Sequence, residues 1–388
     1  MSWGWPSVKI DSIRANTRYS LVGGPFGSNL TTRDYADDGV PVIRGANLPE
    51  KGGFEDGGFV FVTDDKANAL TANLAHPGDI VFTQRGTLGQ VGIIPATASF
   101  QRYLISQSQM KLTVNEEIAN ARFVYYFFRH PNTVQEIKNR SITSGVPHIN
   151  LGILKNFKIP LPALHVQGAI VEILSTYDDL IENNRRRMAL LEESARQLYS
   201  EWFVRLRFPG YEHTPIVDGV PRGWERETLG ESITLNYGKA LKAEIRVEGD
   251  YAVYGSSGIV GTHEKPLVQG PAIILGRKGN VGSVYWSSKS FYPIDTVYFV
   301  STESSSLYLF YALKNMHFIS TDVAVPGLNR DFAYSRPLLQ PPPPLLRAFH
   351  ETVGLIHAQL DKLNEVNQKL RAARDLLLPR LMSGELAV

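Results

Sequence analysis

The chain contains no cysteine in its 388 residues. That excludes disulfides, thiolate metal sites and thiol nucleophiles, and it fits a cytoplasmic protein. No apolar run approaches the roughly 18 residues that a membrane span requires. The opening residues Met1-Ser2-Trp3-Gly4-Trp5-Pro6 have neither the basic start nor the apolar core of a signal peptide. Strong charge is missing as well: 40 Lys/Arg stand against 38 Asp/Glu, a formal +2. Residues 163–205 hold five Lys/Arg and seven Asp/Glu, and residues 342–388 hold six and five, together −1, which leaves about +3 elsewhere. Net charge alone therefore announces no polyanion partner; cationic residues would have to gather on one face.

The usual signatures of catalysis are also missing. Gly86-x-x-Gly89-x-x-Gly92 has no following Gly-Lys-Ser/Thr, and strand-like Ile93-Ile94-Pro95 comes next, so a hairpin turn is expected there instead of a phosphate cradle. The nine histidines form no His-Glu-x-x-His pattern, and His350 and His357 are spaced to lie along one helix face. Gly255-Ser256-Ser257-Gly258 has the wrong spacing for a nucleophile elbow and reads as a turn. No Asn/Asp-Pro-Pro-aromatic segment of the amino-methyltransferase kind occurs. Asp178-Asp179 and Glu192-Glu193 sit at helical positions and are read as solvated faces.

What the chain does have is a repeat. Two stretches, about 165–205 and 345–381, carry apolar residues at steps of three and four. The first stripe is Val166, Ile170, Ile173, Tyr177, Leu180, Asn184, Met188, Leu191, Ala195, Leu198 and Trp202. The second is Val353, Ile356, Leu360, Leu363, Asn367, Leu370, Arg374, Leu377 and Leu381. Tyr177/Leu360, Leu180/Leu363 and Asn184/Asn367 share one offset. Such a seam needs a partner helix, and a buried Asn within it fixes register at some cost in stability. Each helix is the simplest partner for the other, packed antiparallel, with 165–204 roughly 60 Å long at 1.5 Å per residue.

The repeat extends into the flanking regions. Gly4-Trp5 and Gly223-Trp224 open the two halves. Asp79-Ile80-Val81-Phe82-Thr83-Gln84 runs into Arg85-Gly86-Thr87-Leu88-Gly89-Gln90-Val91, and Ala272-Ile273-Ile274-Leu275 runs into Lys278-Gly279-Asn280-Val281-Gly282-Ser283-Val284. Basic-Gly-x-x-Gly-x-Val between β-branched runs reads as a hairpin. Val146-Pro147-His148-Ile149-Asn150 matches Val325-Pro326-Gly327-Leu328-Asn329, and a proline-rich exit follows each. The expected class is α+β, with two mixed α/β globular domains separated by two long antiparallel helices forming a coiled-coil spacer, related by an internal pseudo-twofold repeat. Domain bounds are 1–162, 163–207, 208–341 and 342–388.

Arg85 and Lys278 hold equivalent places beside Thr87, Asn280, Gln84 and Arg277. Glycines that admit a surface, next to a cation and an amide or hydroxyl, are the inventory for phosphate and base-edge contacts. A plain solvent-exposed hairpin has the same composition, and from these residues alone both readings stand.

The ordered combination of these stretches resembles the specificity subunit of type I restriction-modification enzymes over nearly the whole chain. In lobe one the matching residues are Pro25-Phe26-Gly27-Ser28, Ile43-Arg44-Gly45-Ala46-Asn47, Gly78-Asp79-Ile80, Ser106-Gln107-Ser108-Gln109 and Val146–Asn150. In lobe two they are Tyr254–Gly261, Ile274–Gly279 and Tyr292–Thr296. In the helices they are Ile181-Glu182-Asn183-Asn184, Glu201-Trp202-Phe203 and Arg374–Pro379. The resemblance implies a non-catalytic, cytoplasmic DNA reader in which each lobe is a target-recognition domain for half of a bipartite double-stranded DNA site. The helices would set the gap and dock two methyltransferase (modification) subunits, through which restriction/translocase subunits join. S-adenosylmethionine, ATP and Mg would reside on those partners, with no cofactor, metal or membrane for this chain. A stand-alone two-headed DNA-binding regulator and a coiled-coil scaffold are the alternatives. The DNA-facing candidates are Arg85, Thr87, Lys278 and Asn280, then Arg44 and Arg277; Asn184 and Asn367 are the register candidates. Gly327 replaces His148, so no shared role is expected at that position.

Overall fold

The apolar runs build the same antiparallel sheet twice. The computed structural model describes residues 5–50, 52–143, 145–318 and 327–388; Gly4, Val325 and Pro326 of the repeat lie outside them. In lobe one the strands are β1 (Leu21–Gly23), β2 (Ile80–Thr83), β3 (Val91–Ile93) and β4 (Gln109–Leu112), in the order β1-β4-β2-β3. In lobe two β5 (Asn236–Tyr237), β6 (Ala272–Gly276), β7 (Val284–Ser287) and β8 (Val297–Val300) take the order β5-β8-β6-β7. Every neighbouring pair in both sheets is antiparallel.

The central strands are continuous apolar runs because both of their faces are covered. Successive side chains of β2 point to opposite sides. Ile80 and Phe82 enter a core with helix α1 (Ala121–Arg129), where Phe82 meets the Phe128 ring edge-on at 4.8 Å. Val81 faces Ile43, Tyr103 and Ile105 of a second sheet. Strand β6 repeats the division. Ile273 and Leu275 pack with helix α3 (Leu307–Asn315), while Ala272 and Ile274 pack with Tyr254 and Phe291. Asn120 and Ser306 cap the aromatic helices α1 and α3 by accepting from amides of their first turns.

Each lobe is closed by a two-stranded ribbon joining its start to its exit: Ser7–Lys9 with Lys158–Pro160, and Glu225–Thr228 with Pro337–Gln340. The prolines at those exits precede the long helices α2 (Leu164–Tyr199) and α4 (Pro343–Met382), of 36 and 40 residues. One π-helical turn, Ser200–Val204, continues α2.

The chain divides into two units, 1–183 with 367–388 and 184–366. In the first, the early turns of α2 (Ile170, Val171, Leu174) share a core with the late turns of α4 (Leu378, Leu381, Met382). In the second, late α2 (Ala195, Tyr199) shares one with early α4 (Leu345, Phe349, Val353). The pairing is antiparallel in each.

The α4 stripe is buried as expected at Val353, Leu360, Leu363, Asn367, Arg374 and Leu381. The α2 stripe differs at two places. Ile173 and Leu180 face outward, Leu180 being 45% exposed, and Leu174 and Ile181 take the inner positions. Apolar residues stand at both 173/174 and 180/181, so the spacing alone allowed either choice. Asn184 and Asn367 are buried, at 7% and 1% exposure.

Asp178 is not on a solvated face, which corrects the sequence reading. Its carboxylate accepts from the guanidinium of Arg374, which is 4% exposed, and from the Tyr126 hydroxyl at 2.7 Å. Asp375 also pairs with Arg374, at 2.8 Å. Burial and the adjacent carboxylate push the Tyr126 hydroxyl far above the ordinary phenol range. An arginine in an apolar seam is tolerable only with such partners, since a lone buried charge carries several kcal/mol of desolvation.

Two predictions follow from these packing details. Asp178→Ala should destabilise the protein by about 2 kcal/mol, because Arg374 is left with Asp375 as its one carboxylate and the Tyr126 hydroxyl loses its acceptor, while joining it to Arg374→Met should recover part of the loss. Urea denaturation that left Asp178→Ala as stable as the parent would contradict this. His357, among Trp286, Phe310 and Tyr311, accepts from or donates to the Tyr311 hydroxyl at 3.0 Å. Burial, reinforced by Lys314, lowers its pKa to about 4. The unfolded chain then takes up a proton near 6.5 that the folded chain refuses. Stability is full above that value and falls as pH drops toward 4, by about 2 kcal/mol at pH 5. His357→Phe should flatten that slope in denaturation curves between pH 8 and 5; an unchanged slope would assign it elsewhere.

Candidate nucleic-acid interface

Both basic turns are hairpin turns, β2–β3 and β6–β7, and both are held by the same backbone bonds. In lobe one the consecutive amides of Gln84 and Arg85 donate to the Ser108 carbonyl at 2.7 and 3.3 Å. In lobe two those of Arg277 and Lys278 donate to the Thr296 carbonyl at 2.9 and 3.1 Å. On the opposite side, Ile149 donates its amide to Gln84 O at 3.0 Å, and Leu328 to Arg277 O at 2.8 Å. Each turn is thus clamped between the segment that enters the last strand of its sheet and the Val-Pro-x-x-Asn segment.

The glycines of the pattern have a physical cause. Gly86 and Gly89 have φ of +99° and +93°, and Gly279 and Gly282 have +79° and +80°, a region where a Cβ is strained. The asparagines are explained too. Asn150 and Asn329 each accept from amides of a short helix that follows, Leu151–Lys155 and Arg330–Tyr334. His148 forms a backbone bridge with Arg85, and Gly327 forms one with Lys278. The position therefore does have a shared role, carried by the main chain, and only the imidazole is peculiar to lobe one.

Of the candidate side chains, Arg85, Thr87, Lys278 and Asn280 are all exposed on these turns. The Asn280 amide reaches Ser256 Oγ at 3.4 Å, which brings the Gly255–Gly258 hairpin against the lobe-two turn. Arg277 is half-buried and directed. It donates to Asp295 O at 3.0 Å, with its Cζ 4.9 Å from the centre of the Tyr237 ring. Arg44 is engaged elsewhere, donating to Gly58 O at 3.1 Å, and its neighbour Asn47 braces the 55–57 loop through two carbonyls.

The structure adds two residues that the sequence reading missed. The Arg330 Cζ lies 5.0 Å from the centre of the Tyr237 ring, so this ring, 48% exposed, has two guanidinium groups against it. Arg277 immediately precedes Lys278, and Arg330 stands two residues after Leu328, whose amide is bonded to Arg277 O. Arg330 directly follows the matched Asn329 and could have been found by extending that motif by one residue. Tyr237 could not, because its counterpart at the same sheet position in lobe one is a glycine, Gly23. Cations stacked on an exposed aromatic, beside a glycine turn with free donors, suit phosphates and base edges. Among the described residues no group of three or more His, Asp or Glu is arranged to hold a metal ion. No helix among them is long and apolar enough to cross a membrane.

Comparison with known proteins agrees with this architecture. The family model for the type I restriction modification DNA specificity domain matches residues 28–193 and 221–332. The MjaIX specificity subunit of a type I restriction enzyme from Methanocaldococcus jannaschii is 23% identical over 361 residues, 84% of this chain and 82% of that one. A type I specificity subunit, S.MpnORF638P, of Mycoplasma pneumoniae is 29% identical over 47% of this chain and 49% of its own. Among solved structures, the S subunit of a type I restriction-modification system from M. genitalium aligns with a TM-score of 0.56 at 20% identity. The alignment covers 98% of this chain and 96% of that one.

Proposed function

The chain belongs to the type I restriction modification DNA specificity family, as a specificity subunit, and on that premise we propose that each lobe reads one half of a bipartite DNA site through its clamped basic turn. Arg85 and Thr87 serve one half; Lys278 and Asn280, with Arg277, Arg330 and Tyr237 beside them, serve the other. The observation that carries this is the identical clamping of two chemically different turns. The same backbone frame presents Arg-Gly-Thr in one lobe and Lys-Gly-Asn in the other. A shared frame with different donors is what recognition of two unlike half-sequences requires.

The lobes themselves carry out no reaction in this account. Two methyltransferase subunits dock on the helices and bring S-adenosylmethionine, and restriction subunits that use ATP and Mg join through them, in the cytoplasm. Asn184 and Asn367 set the register of the helical seam. The exposed apolar side chains Leu190, Leu355 and Leu376 on the helices suit docked protein.

The test is binding of the assembled complex to duplexes altered in one half at a time. Arg85→Ala should weaken binding roughly tenfold and relax preference in one half only, and Lys278→Ala should do the same in the other. Variants that affected both halves equally, or neither, would refute the assignment. Helix length gives a second test. Inserting four helical residues adds about 6 Å, against about 3.4 Å per base pair. The gap in the methylated motif should change by one or two base pairs with both halves unaltered. Changed halves with an unchanged gap would contradict a spacer role.

A further inference from the structure

The most exposed large apolar side chain among the described residues is Phe26, at 90%. Isolated surface apolar residues are ordinary, but this one is not on a loose tip. Pro25 before it is buried, and Gly27 after it turns the chain at φ +59°. The Gln107 amide reaches across and donates to both Gly27 O and Leu30 O, the latter at 2.8 Å. The Gly24 amide donates to Gln109 O at 2.8 Å. The ring is therefore presented to water by a loop fastened at both ends.

The fastening ties Phe26 to the lobe-one turn. Gln107, which braces the loop, is followed by Ser108, whose carbonyl receives the amides of Gln84 and Arg85. Gly23 lies against the Gln84 side chain, so closely that a Cβ there would stand 3.2 Å from Oε1. One short segment, 106–109, thus carries both the bare ring and the exposed cation.

We propose that Phe26 is an apolar wedge for duplex DNA, entering beside the bases that the Arg85 turn faces and partly unstacking one base step. The idea rests on the DNA-reading function proposed above and makes it more specific. Aromatic rings gain from stacking on any base, and apolar wedges of this kind bend the duplex toward more protein surface. A wedge has to be rigid, and the Gln107 brace supplies that. At the equivalent position of lobe two there is no aromatic ring. Gly238 occupies the place of Gly24, with its amide on Val297 O and the Ile294 carbonyl where a Cβ would stand, and two residues further on stands Ala240. Tyr237 nearby has two guanidinium groups, of Arg277 and Arg330, against its ring. Only the half of the site read by lobe one should be unstacked.

The experiment uses the complex with its methyltransferase subunits and duplexes carrying the motif found from the host's methylated bases. The probe is 2-aminopurine, stepped through both halves but never placed at the methylated base. Wild type should brighten the probe at one step of the Arg85 half and at none attributable to Phe26 in the other. Phe26→Ala should abolish that signal and weaken binding roughly tenfold, and Phe26→Trp should restore affinity. Unchanged affinity and fluorescence in Phe26→Ala would overturn the wedge while leaving the DNA-reading function intact. Loss of methyltransferase assembly in Phe26→Ala would overturn it in favour of a protein contact. A wild-type complex that showed no sequence preference would instead bring down the DNA-reading function, and the wedge with it.

Discussion

One carbonyl oxygen in each lobe, of Ser108 and of Thr296, accepts two consecutive main-chain amides from a glycine-bearing basic turn. A two-residue clamp of this kind fixes where the turn leaves its sheet, and it does so without using side chains. The side chains at the turn are then free to differ. Arg85 and Thr87 in one lobe, and Lys278 and Asn280 in the other, occupy one frame with different donors. In the function proposed above, duplication of the frame with divergence of its contents is what would let one chain read two unlike sequences.

The frame depends in turn on strands covered on both faces. β2 and β6 divide their side chains between an aromatic helix and a second sheet, which leaves their backbones no freedom to slide. Asp79, in the Gly-Asp-Ile stretch that leads into β2, is buried against Lys111 at 3.0 Å. The motif residue therefore anchors the strand and does not face a ligand. The ribbons that tie each lobe's start to its exit then hand the chain to α2 and α4, whose apolar stripes are interrupted by Asn184, Asn367 and Arg374 among others. The arginine is satisfied by Asp178 and Asp375, and the two buried amides are the residues to which the proposal above gives the register.

Much of this was legible in the sequence because it rests on local rules. The hairpins follow from β-branched runs broken by glycines that need positive φ, and the long helices follow from a three-and-four spacing that starts after proline. The Val-Pro-x-x-Asn motif was visible, though its reason was not: the asparagine is a helix cap, and the residue two before it is a backbone bridge, so histidine and glycine serve equally. Other features depend on tertiary neighbours and leave no local trace. Whether Ile173 or Leu174 faced inward, and whether Leu180 or Ile181 did, was undetermined by spacing. Asp178 looked solvated because its partners, Tyr126 and Arg374, are 52 and 196 residues away. The pairing of Tyr237 with Arg277 and Arg330 was hidden for the same reason, and Arg44 gave no sign that the Gly58 carbonyl would hold it.

The central claim is that two dissimilar lobes on one chain read a split site. The most direct measurement is single-molecule sequencing of methylated bases in a host that expresses this chain together with methyltransferase subunits, compared with the same host lacking only this chain. The account predicts an asymmetric motif of two short specified halves around an unspecified gap, present only when the chain is. A motif that persisted without the chain, or one that was contiguous and symmetric, would contradict it.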